Sequence, residues 1–293
     1  MKKLIMIIAV VAGLISCSNN QNKSDAYGNF EATEVIVSSE FQGRITVLNL
    51  EQGQILKSGD VVGYIDSIQT DLRKEQIFAQ KRAVATKYDN IQAQADVQKE
   101  QLKALKIEYN RIEKLLIENA ATQRQFDDIT GRINVVESQI KAIEVQMPSV
   151  AEELQTLDKQ VAQVNDQLKK SIIINPTDGT VLQKYVEVNE LATLGKPLYK
   201  IADLRIMELK VYVSGKQLPN IKLGQTVEVL VDKTEKENRK LSGTVSWISS
   251  SAEFTPKIIQ TKEERVNLVY AVKIRVANDG SLKIGMPGEV NFR

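Results

Sequence analysis

Phe126, Ile129, Ile133, Val136, Ile140, Ile143, Met147, Val150, Leu154, Leu157, Val161, Val164 and Leu168 form thirteen consecutive apolar positions, with steps of three and four residues alternating without a miss. An apolar period of 3.5 residues keeps one stripe facing a partner helix as the pair supercoils, so this stretch is predicted to be one strand of a coiled coil. At a rise of about 1.5 Å per residue it spans roughly 65 Å, more than a small domain can bury in a compact core. The rest of the chain therefore has to be organised around a rod.

The preceding segment supplies the partner helix. Ile77, Val84, Ile91, Leu105 and Ile112 recur at sevens, with Tyr88, Ala95, Leu102, Tyr109 and Leu116 at the complementary offset. Lys81 and Gln98 interrupt this first seam, where polar residues either fix register or mark solvated points of an imperfect stripe. The break at 118–123 is short enough to require an antiparallel neighbour. Thr122 and Gln125 have the Thr-x-x-Gln spacing of a capping box opening the second helix. Pro148 removes one helix hydrogen bond, and because the seam passes it unshifted the expectation is a kink, not an end.

The chain opens Met1-Lys2-Lys3, continues with an apolar stretch from Leu4 to Ile15 and reaches Leu14-Ile15-Ser16-Cys17, followed by polar Ser18-Asn19-Asn20-Gln21-Asn22. The apolar stretch falls short of the ~20 residues of a spanning helix and has the organisation of an export signal. Cys17, the one cysteine of the chain, is the expected diacylglyceryl acceptor, its alternative being a lone cysteine in an ordinary signal peptide. Residues 1–17 are thus read as a lipoprotein signal peptide and 18–30 as a tether.

Composition narrows the function classes. There is no histidine, and with Cys17 assigned to lipid no cysteine remains, so zinc and thiol chemistry lack ligands and nucleophile. No serine sits in a nucleophile elbow and no glycine-rich phosphate loop precedes a helix. A formal net charge of +2, from 39 basic and 37 acidic residues, leaves no basic field for nucleic acid. The expectation is a protein that is not an enzyme and carries no cofactor, with no catalytic or metal site.

Either side of the rod lies one copy of an internal repeat. Adding 136 carries Gly43 to Gly179, Ile45 to Val181, Ile55 to Leu191, Gly59 to Gly195 and Ile65 to Ile201, while Gly53 lands on Asn189, the next best residue for a left-handed turn. Each copy reads as short strands between glycine turns, too little to bury a core alone, so the two should pair across the inserted hairpin. From residue 207 the pattern alternates in short strands, 207–213, 226–231, 241–248, 268–276 and 289–292, with turns at Gly224, Asn278-Asp279-Gly280 and Gly285-Met286-Pro287-Gly288, as in a small antiparallel barrel. Trp247 is expected in its core.

Gly43-Arg44-Ile45, Gly53-Gln54-Ile55-Leu56-Lys57-Ser58-Gly59-Asp60 and Ile65-Asp66 resemble the first half of a biotinyl/lipoyl-type domain, and Asn175-Pro176-Thr177-Asp178-Gly179-Thr180-Val181 through Gly195-Lys196-Pro197-Leu198 the second. Across essentially the whole mature chain the sequence resembles the periplasmic adaptor (membrane fusion, HlyD-like) proteins of tripartite efflux and secretion systems. The resemblance implies a multidomain α+β fold: a long antiparallel α-helical coiled-coil hairpin (69–171) inserted in a split lipoyl/biotinyl-like β domain (31–68 and 172–204), followed by a small antiparallel β-barrel (205–293). Carrier domains of the lipoyl type bear their biotinylated or lipoylated lysine three residues after the acid aligned with Asp66. Here that residue is Gln69, and a swinging-arm role is excluded.

Adaptors that dock on TolC-like outer-membrane channels often carry Arg-x3-Leu-x6-Ser around the hairpin turn. This chain has Arg111, Leu115 and, at the serine position, Thr122; a solvated arginine, a core leucine and a helix cap are the structural alternatives. The closing Leu282-Lys283-Ile284-Gly285-Met286-Pro287-Gly288 resembles the final barrel turn of the family. With the sequence ending at Arg293, the expectation is a short adaptor without a membrane-proximal domain. Together with Phe254-Thr255-Pro256 and Gln260-Thr261-Lys262-Glu263-Glu264-Arg265, which resemble the short adaptors of ABC transporters, it points to an ABC-type partner. The implied role couples an inner-membrane transporter to a TolC-like outer-membrane channel, as a ring commonly of six copies, in the periplasm of a Gram-negative-type bacterium and lipid-anchored, with the inner membrane favoured. The competing reading is a structural envelope lipoprotein that uses the same hairpin without transport.

Overall fold

After β1 (Ala26–Glu31) and β2 (Glu34–Ser38), the first repeat copy folds as β3 (Gly43–Leu48), β4 (Ile55–Leu56) and β5 (Val61–Ile65). The chain then runs out along α1 (Ile68–Ile117) and returns along α2 (Gln123–Glu144) and α3 (Met147–Lys170). Past β6 (Ile172–Ile174), the second copy folds as β7 (Gly179–Lys184), β8 (Leu191–Ala192) and β9 (Pro197–Ala202). This computed structural model describes residues 24–234, 237–254 and 268–292. The signal segment with Cys17 and most of the 254–265 stretch lie outside the described residues. Among the described residues no helix is long and apolar enough to cross a membrane.

The two copies exchange their shortest strands. β4 pairs with β7 of the other copy, and β8 pairs with β3. The bonds beside them are reciprocal: the Gly53 N–H donates to the Val181 carbonyl and the Asn189 N–H to the Ile45 carbonyl, both at 2.8 Å, while the Val181 N–H donates to Gln54 and the Ile45 N–H to Glu190, both at 2.9 Å. Every one of these bonds becomes its mate when the two copies are interchanged, so the domain has a pseudo-twofold axis. Each half completes the other, which is why neither could stand alone.

Local chemistry follows the same symmetry. Gly53 and Asn189 both take left-handed backbone, φ 85° and 73°, which explains why asparagine replaces glycine there at little cost. A Cβ on Gly43 would sit 2.7 Å from the Asp66 carbonyl oxygen and one on Gly179 2.6 Å from that of Ala202. Ile45, Val181, Ile65 and Ile201 form the shared core, each at most 3% exposed.

One polar group crosses that core. The buried Tyr199 hydroxyl donates to Asn175 Oδ1 at 3.0 Å, and Asn175 Nδ2 donates to the carbonyls of Lys57 (2.8 Å) and Thr177 (2.6 Å), stitching the two copies together. Burial pushes the Tyr199 hydroxyl up from 10.0 to about 12. The folded state disfavours the phenolate, so the stability this group contributes is complete below pH 10 and is lost as pH rises through 12. The denaturation midpoint is therefore expected to fall more steeply over that interval in the native protein than in Tyr199→Phe. Equal falls in the two would remove Tyr199 from the account.

The hairpin is built as its seams require. Asp66 Oδ1 accepts from the Ile68 N–H at 3.1 Å, Asp71 lies in the first turn of α1 and Lys114 in the last, each charge complementing the helix dipole. Of the thirteen return-strand seam positions six are buried and seven half-buried, and none is exposed. Lys81, polar on the outgoing seam, pairs with Asp158 on α3, and Lys87–Glu153, Lys99–Glu144 and Lys106–Glu137 bridge the helices further out. At Pro148 the result is a break in the ladder and not only a kink. α2 ends at Glu144 and α3 restarts at Met147, with Pro148 in the first turn, where its missing N–H costs least. Val145 and Gln146 keep right-handed helical dihedrals, so the seam continues through the break.

The remaining strands, β10 (Ile206–Ser214), β11 (Thr226–Asp232), β12 (Asn238–Ile248), β13 (Glu253–Phe254), β14 (Leu268–Ala277) and β15 (Pro287–Asn291), make the barrel with β1. The order β10-β1-β15-β11-β12-β14 is closed by β10 pairing with β14, and β13 extends one edge. β10 alternates buried and outward residues along its length, with Met207, Leu209, Val211 and Val213 fully buried.

Two expectations are corrected here. Residues 26–30 are not tether: they begin β1, which lies between β10 and β15 and places Phe30, 0% exposed, in the barrel core. Trp247 is not core. A bulge between Val245 and Trp247 adds one residue to β12, so side-chain alternation shifts by one: Val245 points in, Ile248 packs on the core and Trp247 is 42% exposed.

Candidate functional site

The far end of the hairpin is shaped by two helix caps meeting in the five residues 118–122. α1 closes with a Schellman motif: the Ala120 N–H donates to the Leu115 carbonyl at 2.8 Å and the Asn119 N–H to the Leu116 carbonyl at 3.0 Å. Asn119 supplies the left-handed residue this needs, at φ 57°. The Ala121 N–H also donates to the Leu115 carbonyl, at 3.2 Å, so the turn folds back over that residue.

α2 opens with the expected capping box. Thr122, in extended backbone, accepts from the Gln125 N–H on its hydroxyl at 3.3 Å, and its own N–H donates to Gln125 Oε1 at 2.8 Å. Just behind the tip, the rings of Tyr109 and Phe126 lie 5.0 Å apart at 45° and join the two helices. A rigid tip follows from these contacts. Asn119→Val, a β-branched residue forced to positive φ, is expected to lower hairpin stability by about 1–2 kcal/mol, while Asn119→Gly should be neutral or slightly stabilising. Thermal melts of the two variants check this, and equal melting temperatures would exclude the left-handed cap as the constraint.

The three residues singled out from the sequence take distinct places on this tip. Arg111 is exposed and reaches Glu108 one turn back at 2.6 Å. Leu115, one turn further on, is 37% exposed and anchors the turn through its carbonyl while its side chain stays partly in solvent. Thr122 is exposed, with its hydroxyl engaged in the cap. Sequence reading missed Ile117, the last residue of α1, which is 77% exposed. Its signal was available: Ile112 and Leu116 continue the seam, so an isoleucine at 117 falls off the stripe. Together Leu115, Ile117 and Ala120 expose apolar area at this end, among the exposed charges of Arg111, Lys114, Glu118 and Arg124.

At the opposite end, Gln69 is the second residue of α1 and occupies no hairpin tip. The lysine-bearing turn of a carrier domain has been replaced by the entry to the rod. Cys17 lies outside the described residues.

No protein-family model matches the chain. The UPF0194 membrane protein YbhG of Salmonella typhi is 25% identical over a 326-residue alignment that covers 100% of this chain and 98% of that protein. Among solved structures, the membrane fusion protein Spr0693 from Streptococcus pneumoniae R6 superposes with a TM-score of 0.57 at 18% identity, covering 91% of this chain and 97% of that one. MacA from Actinobacillus actinomycetemcomitans gives 0.54 at 22%, covering 90% and 76%. The fold read from the split repeat and the seams is the one the two solved structures share.

Proposed function

We propose that this chain, which has the fold of a membrane fusion protein, is the periplasmic adaptor of a tripartite efflux or secretion assembly. In that role its barrel and lipoyl-type domain engage an inner-membrane transporter, and its hairpin tip docks on a TolC-like outer-membrane channel. The observation that carries the reading is the rod: a 50-residue first helix, roughly 75 Å long at 1.5 Å per residue, rooted in a β base and ending in a capped tip with exposed apolar groups. Such an arm suits the task of reaching a partner far from the base and transmitting force to it.

On this reading Arg111, Leu115 and Thr122 are the docking residues, and Ile117 adds apolar area beside them. Cys17 carries the lipid that holds the base at the membrane, with the inner membrane favoured. Copies assemble as a ring, six being the family habit, so that the hairpins enclose a path. The adaptor is not an enzyme and needs no cofactor. An ABC-type transporter is the favoured energised partner, on the strength of the resemblance at 254–256 and 260–265.

Crosslinking in intact cells followed by copurification from detergent-solubilised membranes tests the assignment. The expected result is recovery of both a transporter with an ATPase subunit and an outer-membrane channel. A proton-driven transporter in its place would overturn the ABC assignment, and recovery of neither partner would overturn the adaptor reading.

A further inference from the structure

Gln98 Oε1 is, among the described residues, a buried side-chain oxygen with no hydrogen-bond partner. It belongs to the outgoing helix, α1, at a seam position otherwise held by apolar residues. The Lys99–Glu144 ion pair, at 2.8 Å, fixes what lies across from it: the end of α2, where the return helix loses its ladder. There the Val145 N–H reaches Lys141 at 3.0 Å, the Gln146 N–H turns to Ile143 at 3.0 Å in a tighter step, and the Val150 N–H reaches Gln146 at a long 3.4 Å. Pro148 has no N–H to give. Both helices are therefore weakened at one level, one through its side chain and the other through its backbone.

We infer that the hairpin carries a built-in bending point at Gln98 and the 145–148 break, about which its outer half moves relative to its base. Helix kinks have identifiable causes, and a proline and a polar group inserted in the seam are two of them. Bending opens the seam where opening costs least, because an unpaired buried oxygen gains a donor or solvent when exposed and only loses solvent when closed. The Lys99–Glu144 pair on the surface of the same level survives a small change of angle, since both groups are exposed and on long side chains. This inference concerns the mechanics of the rod and stands whether or not the protein takes part in transport.

Hydrogen exchange on the full chain, followed by mass spectrometry, tests it. In the native protein, peptides covering 142–150 should exchange about tenfold or more faster than those covering 130–140 and 152–162, as a locally opening segment does. Gln98→Leu closes the seam with an apolar residue and Pro148→Ala restores the missing donor. Slowing of 142–150 by about tenfold in either variant supports the bending point. A variant that misfolds reveals itself by fast exchange along the whole of 68–170, and the other then decides. Native exchange as slow at 142–150 as in the flanking turns overturns the inference, and so does fast exchange there that neither substitution slows.

Discussion

Phe30→Ala is expected to destabilise the barrel by about 3–5 kcal/mol, the range for emptying a fully buried aromatic site. Phe30 is 0% exposed and lies on β1, whose backbone pairs with β10 on one side and β15 on the other. Its ring neighbours Gly288, where an added Cβ would come within 2.9 Å of both Phe30 and Leu209, so the cavity left by truncation has close walls with little freedom to collapse. Urea unfolding followed through a barrel-specific probe such as Trp247 fluorescence reads the effect. Tyr27→Ala, on the same strand but 48% exposed, serves as the control and should cost less than about 1 kcal/mol. Equal losses in the two would return residues 26–30 to the role of a tether.

On the proposed docking role, Arg111→Glu combined with Thr122→Trp is expected to reduce transport to the level of a deletion strain while the protein stays folded. The two changes act on opposite helices of one tip: the first reverses the charge on its flank, and the second places a large ring at the start of α2. Because Thr122 also caps that helix, the second change alone costs about 1 kcal/mol of local stability, too little to unfold a seam none of whose thirteen return-strand positions is exposed. Thr122→Ala removes the cap without adding bulk and should leave transport near normal, whereas Thr122→Ser keeps hydroxyl and cap and should be silent. Normal transport in the double variant would refute docking by these residues. Loss in Thr122→Ala equal to that in the double variant would assign the effect to the cap.

The rod, the split repeat and the strand pattern of the barrel were legible because each rests on a period. Coiled-coil seams repeat at 3.5 residues and strands at 2, and those periods survive without knowledge of any partner. The 136-residue offset was legible for a related reason, since left-handed turns accept few residues and Gly53 and Asn189 betray the same backbone requirement. Thr122 as a cap was readable because the bonds of a capping box are local in sequence.

What escaped the sequence depends on contacts between distant segments. β1 looked like a tether because a single edge of the chain says nothing of the two strands, β10 and β15, that close around it some 180 residues or more later. Trp247 looked like core because strict alternation predicts it, and only the bulge against β14 reverses its side. Gln98 was visible as a polar seam residue, but that its oxygen is left unpaired, level with the broken ladder at 145–148, follows from the antiparallel register of two helices. Periodicity and turn chemistry thus determined the elements and their kinds, since these are set by a residue and its near neighbours. Tertiary structure alone decided which strand closes the barrel, which face a bulged side chain takes and where the rod is weak, because each of those depends on what lies across a pairing that no local pattern records.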